Sequence, residues 1–230
     1  MLLDFSAFKN ISYVLFSFAL FFIFIGLYIP LFYMPLYAAE YLGTTDNFAF
    51  YLLAIMNAAS IFGRIIPNIM ADKMGAMNIL IPSTLVTGLL AVAWIWVHSV
   101  DGVVFFCVLY GFFSGVIVLL PSSALVLLSP DLAVIGIRMG MCFSFAGFGL
   151  LIGAPIAGTI LRSDFGFSGL GAFSGATTLA GFIFISLAFF VHRWQLASNT
   201  KSMDYPERKR NNINAVYRVR GATERARGRR

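Results

Sequence analysis

The chain has 230 residues, 60% of them hydrophobic and 11% charged, less than half the charged fraction of an ordinary soluble domain. Its formal charge of +6 divides into −2 over residues 1–192 and +8 over the last 38. The basic balance therefore belongs to a tail and says nothing about a nucleic-acid-binding core.

A helix needs about 20 apolar residues to cross a hydrocarbon layer of about 30 Å. The charge-free run from Asn10 to Ala39 meets that length and gives a first span over about Ser12–Leu36. It is too long for the apolar region of a signal peptide and reads as a retained signal-anchor. The second span covers Phe48–Met70, with Arg64 as its single ionised residue. Met74–Val97, Gly102–Leu128, Met139–Leu161 and Gly166–Val191 complete the set. These runs are too long and too uniformly apolar for barrel strands, which alternate over about 10 residues. Residues 1–193 thus read as an all-α, six-helix transmembrane domain. Residues 194–230 read as a basic, disordered tail, since they lack any sustained apolar period.

Connections are short, so consecutive helices are antiparallel. With the N-terminus inside, segments 1–11, 70–76, 129–140 and 193–230 hold fourteen cations, namely Lys9, Lys73, Arg138 and eleven in the tail. The opposite face holds Arg162. The cation bias places both termini in the cytoplasm, with the plasma membrane as the expected location. The Asn10-Ile11-Ser12 sequon then stays unmodified.

Small residues mark the expected helix contacts: Gly149, Gly153 and Ala157 in the fifth span, Gly111 and Gly115 in the fourth, Gly171 and Gly175 in the sixth. Pro30, Pro35, Pro121 and Pro155 each remove an intrahelical hydrogen bond. Pro30, Pro121 and Pro155 are the expected helix-bending positions. Within lipid, protein or a water-filled cavity must take over the carbonyls they free. Cys107 and Cys142 sit in apolar runs and read as small hydrophobes, with no metal-ligand spacing around them. No cofactor is implied. His98 and His192 fall at opposite membrane faces, and no HExxH, P-loop or nucleophile elbow occurs, so the chain does not read as an enzyme.

Arg64 lies eight residues before Asp72, about 12 Å inside the helix end at 1.5 Å per residue. Ser60 and Asn57 share its face. One reading makes Asn57, Ser60 and Arg64 a polar stripe along an aqueous cavity, with Arg64 holding a carboxylate or another anion. The other makes Arg64 a structural tie, bonded to backbone carbonyls or clustered with Asp72.

The stretch Phe62–Asn78, with Gly63-Arg64, Asp72-Lys73 and Gly75, resembles the helix–loop–helix signature of the major facilitator superfamily. Tyr51–Ser60, Gly136-Ile137-Arg138-Met139-Gly140-Met141 and Leu151–Gly158 are similar to the second half of the monocarboxylate transporter family, fungal-type branch. The resemblance covers the six spans and not the tail. It implies the last six helices of a twelve-helix fold, with Gly63, Asp72, Lys73 and Gly75 as the cytoplasmic loop signature. It also implies that Arg64 binds the substrate carboxylate. Ser60 departs from the proton-coupled members, which carry Asp at that position, so proton symport does not carry over. Substrate sites in this fold lie between two halves, and this chain supplies one of them. The resulting expectation is a secondary transporter, or a truncated half of one, moving an organic anion or small metabolite, including export of a secondary metabolite. Its expected partners are that substrate, the bilayer, and a second six-helix half or another copy of itself; nucleic acid is not among them. The alternative is a truncated membrane interaction protein that transports nothing.

Overall fold

The computed structural model describes residues 7, 9–128 and 134–227, with side chains up to residue 198 apart from Asp46. Seven helices follow in order: α1 (Ile11–Leu27), α2 (Ile29–Glu40), α3 (Asp46–Met74), α4 (Ala76–Ala93), α5 (Val100–Leu128), α6 (Ile135–Leu161) and α7 (Gly166–Arg227). A single 3-10 turn, Trp94–Trp96, extends α4. Among the described residues six helical stretches are long and apolar enough to cross a membrane, with α1 and α2 together making the first, Ile11–Glu40. Two compact units divide the chain, Met1–Phe189 and Phe190–Arg230. The first holds the bundle. The second holds the end of α7, whose backbone stays helical to Arg227 through the residues read above as a disordered tail. Residues 194–227 include six Arg and four Ala, which have high intrinsic helix propensity.

The first span is where sequence dictates an interruption. Pro30 has no N–H, so the carbonyl of Gly26 loses the donor four residues ahead. The helix divides at Tyr28. Two side chains from distant helices then serve the freed carbonyls. The Ser174 hydroxyl donates to the Gly26 oxygen at 2.8 Å, and the Tyr110 hydroxyl donates to the Leu27 oxygen at 2.8 Å. In a bilayer, where water supplies no partner, such rescue is a condition of the break. α5 and α6 run past Pro121 and Pro155 as single helices. Pro67 in α3 and Pro82 in α4 are two further internal prolines.

Packing follows the small residues. A Cβ built on Gly149 or Gly153 of α6 meets the Phe21 or Ile25 carbonyl oxygen of α1 at 2.4 and 2.3 Å, far inside contact distance. On α7, a Cβ at Gly175 meets Val92 at 2.3 Å, and one at Gly171 meets the Ala91 oxygen at 3.1 Å. Helix backbones approach here because no side chain intervenes. Between these contacts lie two buried clusters. One joins Phe16, Leu20 and Ile23 of α1 to Leu80, Ile117, Leu120 and Ile185. The other joins Met34 and Tyr37 of α2 to Leu52, Met56, Trp94 and Tyr110. Two other buried hydroxyls are satisfied within their own helix, Thr84 by the Leu80 oxygen and Thr87 by the Ser83 oxygen, each at 2.8 Å.

Two of the boundary differences from the sequence reading move charged or turn residues. Met74 ends α3 and does not open the third span; Gly75 alone is non-helical between α3 and α4. The fifth span opens at Ile135, not Met139. Arg138, counted above as a loop cation, is therefore inside α6 and only 3% exposed. Its guanidinium carbon lies 5.7 Å from the centre of the Tyr13 ring, and the Tyr13 hydroxyl donates to the Arg138 carbonyl at 2.8 Å. A ring face and a first-turn position make that burial tolerable.

Candidate functional site

The stripe on α3 is built by helical spacing. Asn57, Ser60 and Arg64 sit three and four residues apart, which puts them on one face. All three line one cleft of about 80 Å³. Its other walls are Tyr28 and Leu31, beside the break in the first span, and Tyr110 and Ser114 of α5. The break that frees the Leu27 carbonyl thus stands at the wall of the polar cleft, and Tyr110 serves both.

α3 and α5 approach so closely because three glycines meet opposing carbonyls. A Cβ on Gly63 falls 1.9 Å from the Phe112 oxygen. One on Gly111 falls 2.4 Å from the Met56 oxygen, and one on Gly115 falls 2.4 Å from the Ser60 oxygen. Gly115 and Ser60 are therefore in register at the cleft itself. The Ser60 hydroxyl donates to the Asn57 carbonyl at 2.7 Å, and the Asn57 amide donates to the Leu53 carbonyl at 2.9 Å. Ser60 is 7% exposed, while Asn57 and Arg64 are exposed. These bonds run back along α3 and leave the Asn57 amide oxygen turned to no protein donor among the described residues.

Arg64 has no hydrogen-bond or ion-pair partner among the described residues. It bonds no helix-end carbonyl, and Asp72 does not pair with it. Within a membrane an Arg costs about 2.5–3.5 kcal/mol on insertion scales. A planar fork of five donors with no internal partner is suited to a carboxylate or another planar anion.

The remaining signature residues lie elsewhere. Gly63 is in the middle of α3 and serves its contact with α5 rather than a loop. Asp72 and Lys73 are exposed on the last turn of α3. Gly75 has φ +90° and ψ 135°, a conformation open to glycine and strained for other residues, and it turns α3 into α4. Pro30, Pro121 and Pro155 lie in α2, α5 and α6; of these, Pro30 stands beside the cleft. Tyr110, Tyr28 and Ser114 are cleft residues that the sequence reading did not single out. Tyr110 had a signal, a phenol in the middle of an otherwise apolar span, but nothing in α5 alone names its partner.

The Major Facilitator Superfamily profile matches residues 16–221. This chain belongs to the major facilitator superfamily. It is 41% identical over 185 residues to an MFS-type transporter of Emericella nidulans, covering 79% of this chain and 42% of that relative. It is 39% identical to an agnestins efflux protein of Paecilomyces divaricatus, over 80% of this chain and 42% of the relative. An aspyridones efflux protein of Emericella nidulans is 37% identical, over 78% and 37%. The facilitator chain thus spans about two fifths of the length of these relatives. Six membrane-crossing helices and this membership make it an integral, multi-pass membrane protein.

Proposed function

We propose that this facilitator chain contributes one side of a substrate path in a secondary transporter, with Arg64 as the group that engages an anionic substrate. The observation that carries the reading is the unpartnered Arg64 guanidinium, on a cleft it shares with Asn57 and Ser60. The direction is export, and the cargo is a small organic anion of secondary metabolism, a reading supported by two relatives described as efflux proteins. The monocarboxylate-like motifs around Tyr51–Ser60, Arg138 and Gly153 support a carboxylate. Ser60 in place of an acid removes the group that would carry a proton beside Arg64. The proposed location is the plasma membrane, and both termini are cytoplasmic because Lys9, Lys73 and the tail cations gather on one side.

The path needs a second wall, since sites in this superfamily lie between two six-helix halves. That wall is a second half or another copy of this chain. Reconstituted vesicles test the reading, holding either the chain alone or the chain joined to the first six helices of the agnestins efflux relative. Efflux of a panel of radiolabelled aromatic monocarboxylates and their neutral amides is followed in both. Saturable movement of a carboxylate by the joined protein, lost in Arg64→Gln, is the expected outcome. Equal movement of acid and amide, unaffected by Arg64→Gln, overturns the anion role. No movement in any form favours a protein that pairs with membrane partners without transporting.

A further inference from the structure

A second cavity, of about 280 Å³, opens where α2 ends, α4 ends and α7 begins. It shares no lining residue with the Arg64 cleft. Its floor is Tyr37 and Trp94, 3% and 2% exposed, and its rim includes Tyr41, His98 and Phe165, which are exposed. The rings are packed in series. Tyr37 meets Trp94 edge-on at 5.7 Å and Phe167 at 5.1 Å, and it stacks on Tyr41 at 5.0 Å. Tyr41 in turn lies 5.9 Å from His98. The Tyr37 hydroxyl donates to the Val97 carbonyl, which pins the end of α4 against α2. The walls are therefore fixed before any occupant arrives.

The chemistry of those walls selects for cations. Aromatic faces attract positive charge through the ring quadrupole, by about 0.5–1 kcal/mol at exposed sites and about 2 or more when desolvated. No lysine or arginine lines the cavity. The rim segments carry exposed carboxylates: Glu40 beside Tyr41, Asp164 beside Phe165, and Asp101 three residues after His98. Arg162 is the single lysine or arginine in those connections, beside the imidazole of His98, so carboxylates outnumber fixed positive charges there. The indole N–H of Trp94 has no acceptor among the described residues and is covered by neighbouring atoms, so an occupant meets the ring and not the donor. An inorganic cation or an ammonium with N–H groups needs several converging oxygen partners, and the lining side chains offer only the hydroxyls of Tyr37, Tyr41 and Ser168, the first already bonded to Val97. A quaternary ammonium has no N–H and is weakly hydrated, so rings suffice.

We propose that this aromatic cavity is a binding site for a quaternary ammonium group. Two sources share that chemistry, a soluble choline-like cation and the phosphocholine headgroup of a bilayer lipid. The second fits the level at which Trp and Tyr collect at span ends.

Equilibrium dialysis of the purified full chain with radiolabelled choline, in a maltoside detergent free of choline lipids, is the test. We expect saturable binding that tetramethylammonium displaces. The neutral isostere of choline, with carbon in place of the ammonium nitrogen, should displace it at least about tenfold less well. Tyr41→Leu should weaken choline about tenfold and Tyr41→Phe should restore it, because the ring face and not the hydroxyl does the binding. Tyr41 is 57% exposed, so neither change threatens the fold. Repeating the dialysis in phosphatidylglycerol nanodiscs, with and without phosphatidylcholine, separates the sources. Suppression of choline binding by the choline lipid assigns the headgroup, and unchanged binding assigns a soluble cation. Absence of saturable binding in the choline-free system overturns the proposal. So does displacement by the isostere as effective as by tetramethylammonium, or full binding by Tyr41→Leu.

Discussion

Among the described residues of the bundle, Arg64 alone combines charge, depth and the lack of a partner. If it engages a carboxylate through its planar fork, Arg64→Lys keeps the charge and loses the bidentate geometry. In a twelve-helix transporter carrying this half, that change should weaken an anionic substrate by roughly 1–3 kcal/mol, the range for hydrogen bonds to charged groups. Membrane level should stay the same. Paired measurement of surface level and concentration-dependent flux checks it, and normal affinity with lowered expression would make Arg64 a structural tie instead. A second residue-scale prediction concerns Gly63. Its would-be Cβ meets a backbone oxygen at 1.9 Å, which cannot swing aside as a side-chain tip would. Gly63→Ala should destabilise the bundle by about 1–3 kcal/mol, the usual cost of overpacking. Gly147→Ala, with nothing within 4 Å, should not, and detergent unfolding curves of the two variants compare them directly. The stripe of Asn57, Ser60 and Arg64 was legible because helical period alone puts those positions on one face. The role of Gly63 was not, because a small residue on one helix does not say which helix it admits. Nor was the burial of Arg138, whose partner Tyr13 lies on another helix and outside any local pattern.

At the scale of elements, hydropathy located the six spans because a bilayer demands about 20 apolar residues per crossing. It could not divide the first of them at Tyr28. Proline chemistry pointed to Pro30, but whether a helix bends, breaks or runs on depends on which groups donate to the freed carbonyls. For Pro30 the answer came from Ser174, 148 residues from Gly26 along the chain, and from Tyr110, 83 away from Leu27. Such partners belong to tertiary packing, so no window of sequence contains them. Removing one should cost what interhelical hydrogen bonds in membranes cost, on average about 0.6 kcal/mol and at most about 1.7. Tyr110→Phe and Ser174→Ala are each expected in that range. The double variant should exceed their sum, because adjacent carbonyls on the same break are then both orphaned. A double-mutant cycle read by thermal unfolding in detergent measures the excess, and strict additivity would mean the break is held by other contacts. Because Tyr110 also lines the polar cleft, Tyr110→Phe in a twelve-helix transporter carrying this half should change flux by more than its small cost in stability would explain.

For the whole molecule, the decisive quantity is what the bundle leaves uncovered. α3 exposes Phe62, Ile65 and Ile69, at 60, 53 and 60%, and α6 exposes Phe148 and Leu151 at 60 and 70%. Lipid accepts such side chains without penalty, so they do not by themselves demand a partner. Arg64 and Asn57 do, since a cleft of about 80 Å³ is smaller than the roughly 300–1,000 Å³ typical of small-molecule sites. On the proposed reading, a single bundle holds part of a binding surface and cannot shield a substrate from the bilayer on its open side. Alternating access in this superfamily is largely a rocking of one repeat against another around a shared site, and one repeat has nothing to rock against. The chain alone, kept monomeric at high lipid-to-protein ratio, should show no saturable flux of any carboxylate, whereas the chain joined to a relative's first six helices should. Cross-linking to verify the monomer and a concentration series of labelled substrate make the comparison quantitative. Saturable transport by the verified monomer would mean that six helices suffice for a gated path, and the division of the site between halves would have to be given up.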